Sequence, residues 1–153
     1  MMSLLQRIVK SNTGSTNASF APLILRIPTG IILMAHGSQK LFGWFGGGGL
    51  EGTGQFMASL GLSPGELMAF LAGSGEFFGG LLILLGLLTR PAAAVVAFTM
   101  VVAIVSVHLP NGLFLANGGY EFGLALLAIA VSLVFSGSGR VGIDNLIFKK
   151  LKG

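Results

Sequence analysis

Long apolar runs, separated by short polar or glycine-rich breaks, dominate the chain. Four of them reach or approach the length of about 20 residues that a helix needs to cross a bilayer core. These runs are residues 21–43, 66–88, 91–109 and 120–135. The last run is the shortest, so its helix is expected to stand upright or to thin the bilayer. The pattern predicts an all-α, polytopic membrane protein, with a four-transmembrane-helix bundle over residues 21–135.

The segments that flank and join these runs are polar or glycine-rich. Residues 1–20 are predicted to form a cytoplasmic N-terminal tail. Residues 136–153 are predicted to form a basic cytoplasmic segment at the membrane interface, in which Asp144 caps a short last helix over residues 145–152. The loop over residues 44–65 includes four consecutive glycines. It is either a flexible linker or a cap that folds back over the mouth of the bundle.

Charge sets the predicted topology. The chain is 53% hydrophobic and 9% charged, whereas soluble domains carry about 25% charged residues. The loops over residues 44–65 and 110–119 contain no Lys or Arg. Because positive residues are retained in the cytoplasm, both termini are predicted to be cytoplasmic. The cytoplasmic side then carries Arg7, Lys10, Arg90, Arg140, Lys149, Lys150 and Lys152.

The remaining composition excludes several classes of function. The formal charge is +4, but the basic residues are too few and too scattered for a nucleic-acid partner. The lipid bilayer is the expected partner instead. The chain has no cysteine, so disulfides, thiolate metal sites and cysteine redox couples are excluded. Any redox role therefore needs a bound cofactor, a quinone or a partner subunit.

Ionisable side chains inside the apolar runs are the main candidates for function. A charge at the bilayer centre costs about 2.5–3.5 kcal/mol on the insertion scale, so such groups are by default functional or paired. The candidates are Arg26, His36, Lys40, Glu76, His108 and Glu121. A structural alternative is that the ion pairs only fix the register of the helices.

Helical spacing places these groups on faces rich in small residues. The first helix has Arg26, Gly30, Leu33, Gly37 and Lys40 on one stripe; the second has Ala69, Ala72, Gly73, Glu76, Gly79 and Gly80; the fourth has Glu121, Ala125, Ala128 and Ser132. Small residues let helices approach closely, so all three faces are predicted to point into the bundle.

Depths along the helices suggest which groups pair. At about 1.5 Å rise per residue, Lys40 is expected level with Glu121 and His108, while His36 is deep enough to meet Glu76. Arg26 is expected within reach of Glu76 or of Asp144.

Two cofactor alternatives are weaker. His36 and His108 have the chemistry of axial haem ligands, but their expected depths differ by roughly 10 Å along the helices. A metal site from His36, Glu76, His108 and Glu121 has suitable residue types without any diagnostic spacing. Haem is therefore disfavoured, and no metal site is predicted.

Four short stretches resemble the DoxX family. They are RIPTG at 26–30 leading to HGSQKLF at 36–42, GEFFGGLL at 75–82 leading to GLLTR at 86–90, NGGYE at 117–121, and SGRVGID at 138–144. They occur in the order that the family shows. Ser138 stands where the family often has proline. The resemblance implies a four-helix protein of the bacterial or archaeal inner membrane, and some relatives assemble with redox or detoxifying enzymes.

The leading functional hypothesis is a membrane component of a quinone-linked oxidoreductase. His36, Glu76 and Lys40 are the predicted catalytic residues, which bind or protonate a quinone-like or small anionic ligand. Arg26, His108 and Glu121 are predicted to bind ligand or to carry protons, and Asp144 to pair structurally. Quinone is the cofactor compatible with this hypothesis, and redox proteins or further copies of the chain are the compatible partners. The alternatives are a non-catalytic anchor or assembly subunit, and a small permease or channel.

Overall fold

The computed structural model describes residues 20–151, and this part of the chain is all-helical, as predicted. Nearly all of the predicted tail over residues 1–20, and Lys152 with Gly153, lie outside the described residues. The α-helices of the described part are α1 (Ala21–Phe42), α2 (Gly49–Ser59), α3 (Gly65–Leu85), α4 (Thr89–Ala103), α5 (Glu121–Ser136) and α6 (Ile143–Lys150).

The helical path of α4 continues beyond its last residue. A wide π turn, Ile104–His108, follows it, and a 3₁₀ turn, Leu109–Asn111, comes next. Within residues 20–151, three helical stretches are long and apolar enough to cross a membrane: Ala21–Phe42, Gly65–Leu85 and Thr89–Asn111. Helix α5 is apolar but has only 16 residues.

Helices α1 and α3 touch through glycines. A Cβ atom on Gly80 would lie 2.8 Å from the Cβ of Leu33, and one on Gly30 would lie 2.7 Å from the Cβ of Leu84. Neither is a distance that real side chains adopt, so only glycine allows this close approach. The predicted inward faces of both helices are confirmed in their buried members, which include Arg26, Gly37 and Glu76.

Helix α5 packs against α4 with a different face from the predicted one. Its buried residues are Leu126, Ala130 and Leu133, and they share a core with Ala93 and Val96 of α4. The predicted inward face of this helix is therefore wrong, because Ala130 and two leucines on another face make the contact with α4. The face that is exposed instead carries Glu121, Ala125, Ala128 and Ser132.

The loop between the first two long helices contains a folded helix. Helix α2 lies against α3, and a Cβ atom on Gly54 would sit 2.9 Å from the Cγ of Glu66. The alternative of a flexible linker is therefore wrong for residues 49–59. We call the end of the bundle that carries this helix the α2 end, and the opposite end, where α6 lies, the α6 end.

Candidate functional site

A cavity of about 700 Å³ opens between α1, α3, α4 and α5, with α2 contributing at its rim. Its volume lies within the range of about 300–1,000 Å³ that small-molecule sites usually have. Most of its lining is aliphatic or aromatic, including Leu33, Val107 and Phe122. The polar side chains that line it are His36, Lys40, Thr53, Glu76, Thr99, Ser106 and His108. The cavity can therefore hold a mainly apolar molecule with a small polar group.

The Lys40 ammonium and the Glu76 carboxylate form an ion pair in this cavity. Lys40 Nζ lies 2.6 Å from Glu76 Oε2, and the two side chains are 23% and 5% exposed. Among residues 20–151, no other Lys or Arg pairs with a carboxylate at this range. The expected pairing of Lys40 with Glu121 is wrong.

The geometry of the helix crossing explains the pair. A Cβ atom on Gly73 would lie 3.1 Å from the Cβ of Lys40, so the lysine stem passes over this glycine. Side chains on a helix tilt toward its N-terminus. Because α1 and α3 are antiparallel, the side chains of Lys40 and Glu76 tilt toward each other. Lys40 is level with Gly73, three residues from Glu76, so the tilt has to close a backbone offset of only about 4.5 Å along the helices.

His36 lines the same cavity one helical turn before Lys40. Its backbone carbonyl accepts a long hydrogen bond, 3.5 Å, from Lys40 Nζ. Its ring lies 6.0 Å, centroid to centroid, from the ring of Phe122 on α5. His36 and Glu76 line the same cavity, but no hydrogen bond joins them in the described part of the chain.

His108 reaches the cavity from the π turn at the end of α4. Its Nδ1 lies 2.7 Å from the carbonyl oxygen of Gly118. A carbonyl can only accept, so Nδ1 carries the proton and, in the neutral ring, Nε2 is left as an acceptor. This nitrogen is the atom of His108 that is able to accept a hydrogen bond from a ligand.

Glu121 lies outside the cavity. Its side chain is exposed, and Oε1 accepts a hydrogen bond of 2.6 Å from the backbone N–H of Leu115. This bond holds the loop between α4 and α5 to the first turn of α5. Glu121 was expected to form a proton path with His108, but only His108 lines the cavity, and the two side chains bond to different loop residues.

Arg26 is buried at the α6 end, where it bonds to backbone rather than to an acid. Its side chain is 2% exposed. Nη1 donates to the carbonyl oxygens of Ser138 and of Val141, the latter at 2.7 Å, and Nη2 donates to that of Leu84 at 3.4 Å. Of the two acids that Arg26 was expected to reach, Glu76 is bonded to Lys40 instead, whereas Asp144 does interact electrostatically with Arg26. Arg26 docks the segment after α5 onto α3.

Asp144 caps a helix other than its own. Its Oδ1 accepts from the backbone N–H of Leu88 at 2.7 Å, and its Oδ2 from that of Thr89 at 2.9 Å. These are orphan donors at the N-terminus of α4, where a carboxylate also complements the helix dipole. The expectation that Asp144 caps α6 is wrong, since Gly142 precedes that helix and no side chain caps it.

Several lining residues gave no signal in the sequence. Thr53, Thr99 and Ser106 are neutral hydroxyl residues, which do not stand out in an apolar run as a charge does. Phe56 and Met57 of α2 line the cavity, in agreement with the alternative that the loop over residues 44–65 caps the mouth of the bundle. Within residues 20–151, no group of three or more His, Cys, Asp or Glu side chains is close enough to hold a metal ion.

Comparisons with known proteins agree with one another. The DoxX family profile matches residues 21–109. A Bacillus subtilis (strain 168) protein named "Putative oxidoreductase CatD" is 37% identical over 138 residues, which cover 89% of this chain and 95% of that protein. Two Escherichia coli (strain K12) proteins are also similar. Inner membrane protein YphA is 37% identical over 80% of this chain and 87% of its own. Inner membrane protein YqjF is 33% identical over a stretch that covers 84% of this chain and 92% of that protein. No solved structure matches the chain.

Proposed function

This chain belongs to the DoxX family, and we propose that it is the quinone-binding membrane component of an oxidoreductase. The observation that carries the proposal is the apolar cavity of about 700 Å³ with the Lys40–Glu76 ion pair on its wall. A quinone has the matching chemistry, because it combines an apolar ring and tail with two carbonyl oxygens. The name of the Bacillus relative supports a redox role.

The Lys40–Glu76 pair supplies a hydrogen-bond donor and protons to the quinone carbonyls. The Lys40 ammonium donates a hydrogen bond to one carbonyl oxygen, and Glu76 keeps the ammonium in place. Reduction of the quinone to the quinol takes up two electrons, which a redox partner protein provides, and two protons. Lys40 and Glu76 pass protons to the reduced oxygen. His36, one turn from Lys40 on the same helix, packs against the head group, and Nε2 of His108 accepts a hydrogen bond from a quinol hydroxyl.

The placement of the basic residues supports a topology for this component. Arg90, Arg140, Lys149 and Lys150 belong to the segments at the α6 end, and the two connections at the α2 end contain no Lys or Arg. The α6 end and both termini then face the cytoplasm. Helix α5 is the fourth span, in a locally thinned inner membrane.

Quinone binding by the purified protein in lipid nanodiscs tests the proposal. Isothermal titration calorimetry with a short-chain benzoquinone is expected to show a saturable heat of binding. The combined change Lys40→Met with Glu76→Gln removes both charges together and should weaken binding by about tenfold, as loss of a charged hydrogen bond does. Ser132→Ala, on the exposed face of α5, is the matched control and should bind as the unaltered protein does. Absence of saturable binding to the unaltered protein would contradict the proposal.

A second candidate function is that of an anchor for a redox enzyme. Helix α6 carries the exposed residues Leu146, Lys149 and Lys150, and the bonds made by Arg26 and Asp144 hold the segment around it in place. As an anchor, the protein would not need its cavity. Loss of the Lys40–Glu76 pair would then lower the amount of protein in the membrane and leave the turnover per molecule of complex unchanged.

A further inference from the structure

A second, smaller hollow of about 330 Å³ lies at the α2 end, next to the cavity. It is shallow and open, and its walls include the side chain of Gln39 and the backbone of Gly47, Gly48 and Gly52. Glycines without side chains expose their peptide groups, so this surface is more polar than the cavity wall, although Phe56 also lines it. We call this feature the polar hollow.

The polar hollow and the cavity share part of their walls. Lys40, Thr53 and Phe56 line both. Lys40 is the charged residue among them, and its ammonium is bonded to Glu76, which lines the cavity alone. Exposure falls from the polar hollow toward the cavity, because the Lys40 side chain is 23% exposed and that of Glu76 is 5% exposed. The ion pair therefore spans the partition between the two spaces.

The cavity has a different opening toward the lipid-facing surface. Leu71 of α3 and Val95 and Phe98 of α4 line it, and they are 54%, 50% and 70% exposed. All three are apolar and belong to helices long enough to span a membrane. An exposed apolar surface at this place in a membrane protein contacts acyl chains. This side of the cavity therefore opens between α3 and α4 into the bilayer.

We propose that the site has two entrances of different chemistry. A mainly apolar ligand enters from the bilayer between α3 and α4, while protons enter from water through the polar hollow, with Lys40 and Glu76 at the junction. The nature of the apolar ligand rests on the proposed function, whereas the water entrance does not.

Proton transfer through the pair balances. Glu76 takes a proton from the Lys40 ammonium, and the neutral lysine regains one from hydronium in the polar hollow. The protonated Glu76 then gives its proton to the reduced oxygen of the ligand. One proton has moved from water to ligand, and the pair has returned to its starting charges. The two electrons of the reduction come from the redox partner.

The chain has no cysteine, so one introduced thiol reports on access to the cavity. Ala72→Cys places it on the cavity wall, one helical turn nearer to the α2 end than Glu76. In liposomes, a small charged thiosulfonate reagent should modify it from the water, and a lipid-soluble maleimide should modify it from the bilayer. The rates of both reactions are measured by mass spectrometry.

Gly52 offers a way to close the polar hollow selectively. Gly52 lines the hollow, and a Cβ atom at this position meets no atom within 4 Å, so the phenylalanine of Gly52→Phe starts from open space at the mouth of the hollow. It should slow the charged reagent by about tenfold and leave the maleimide rate unchanged. Gln55→Phe is the matched control, since Gln55 is exposed on the same helix and lines neither space. Gly52→Ser should give an intermediate rate.

The outcomes separate the two proposals. Equal modification by the charged reagent with and without Gly52→Phe would overturn the water entrance, and so would modification of Ala72→Cys by the maleimide alone. A short-chain quinone should slow the maleimide reaction by occupying the cavity. If the quinone has no effect while Gly52→Phe still blocks the charged reagent, the proposed function fails and the water entrance stands.

Discussion

Lys40 and Glu76 meet across two antiparallel helices because their side chains tilt toward each other over Gly73, which leaves room for the lysine stem. This pair is the charged element in a cavity that is otherwise largely apolar. Its two members are unequally buried, and this difference leads to the first prediction.

Loss of Lys40 should destabilise the protein more than loss of Glu76. Lys40→Met leaves a carboxylate that is 5% exposed without its partner, whereas Glu76→Gln leaves an ammonium that is 23% exposed and can turn toward the polar hollow. Breaking a buried pair costs about 3–5 kcal/mol of unfolding free energy. The loss for Lys40→Met should lie closer to this range than the loss for Glu76→Gln. Thermal unfolding in detergent measures both. The double change should restore much of the loss, and a double variant less stable than Lys40→Met would contradict this account.

The contact between α1 and α3 should not tolerate a methyl group at Gly37. A Cβ atom there would lie 2.7 Å from the Cβ of Phe77 and 2.8 Å from the carbonyl oxygen of Gly73. Gly37→Ala should therefore lower the melting temperature, with a cost of about 1–3 kcal/mol for overpacking. Gly52→Ala is the control, because its methyl group meets nothing and should be neutral or stabilising by up to about 1 kcal/mol. Equal melting temperatures for the two variants would show that the helices can move apart.

Arg26→Lys should release the segment that follows α5. The guanidinium serves the carbonyls of Ser138, Val141 and Leu84 together, and an ammonium on a shorter, differently shaped head cannot reproduce this planar arrangement. Each lost bond to a charged donor is worth about 1.5–3 kcal/mol. Limited trypsin digestion is the measurement, and cleavage after Arg140 should become faster. Lys149→Arg, on the exposed surface of α6, should leave that rate unchanged.

Asp144→Ala should weaken the start of α4 rather than α6. It removes the acceptor for two backbone N–H groups, those of Leu88 and Thr89. Loss of such a cap costs about 1–2 kcal/mol. Hydrogen exchange should speed up in the first turn of α4, while the amides of α6 stay as they are. Asp144→Asn keeps one acceptor oxygen, so its exchange rates in the first turn of α4 should lie between those of the unaltered protein and those of Asp144→Ala. Faster exchange confined to α6 would contradict the cap on α4.

The sequence predicted the helical class and the inward stripes of α1 and α3. A charge among glycines on one helical face is favourable where that face packs against another helix, away from lipid. It could not predict the partners. Depth estimates follow backbone positions, whereas Lys40 and Glu76 are joined by the direction in which their long side chains tilt. Asp144 caps a helix 55 residues away in sequence, and a local pattern does not contain such a contact. On α5, the small residues on the face of Glu121 predicted that this face packs closely against a neighbouring helix. The contact is made by another face, which packs against Ala93 of α4.

The π turn after α4 has a consequence for how this site can change. Ser106, Val107 and His108 line the cavity from this turn. A π turn amounts to one extra residue in a helix. Deletion of one residue between Ile104 and Val107 should therefore restore the regular winding and leave the direction of the His108 side chain nearly unchanged, because a π turn already absorbs the extra residue. The cavity wall can thus lose one residue at this turn without turning its imidazole away from the ligand.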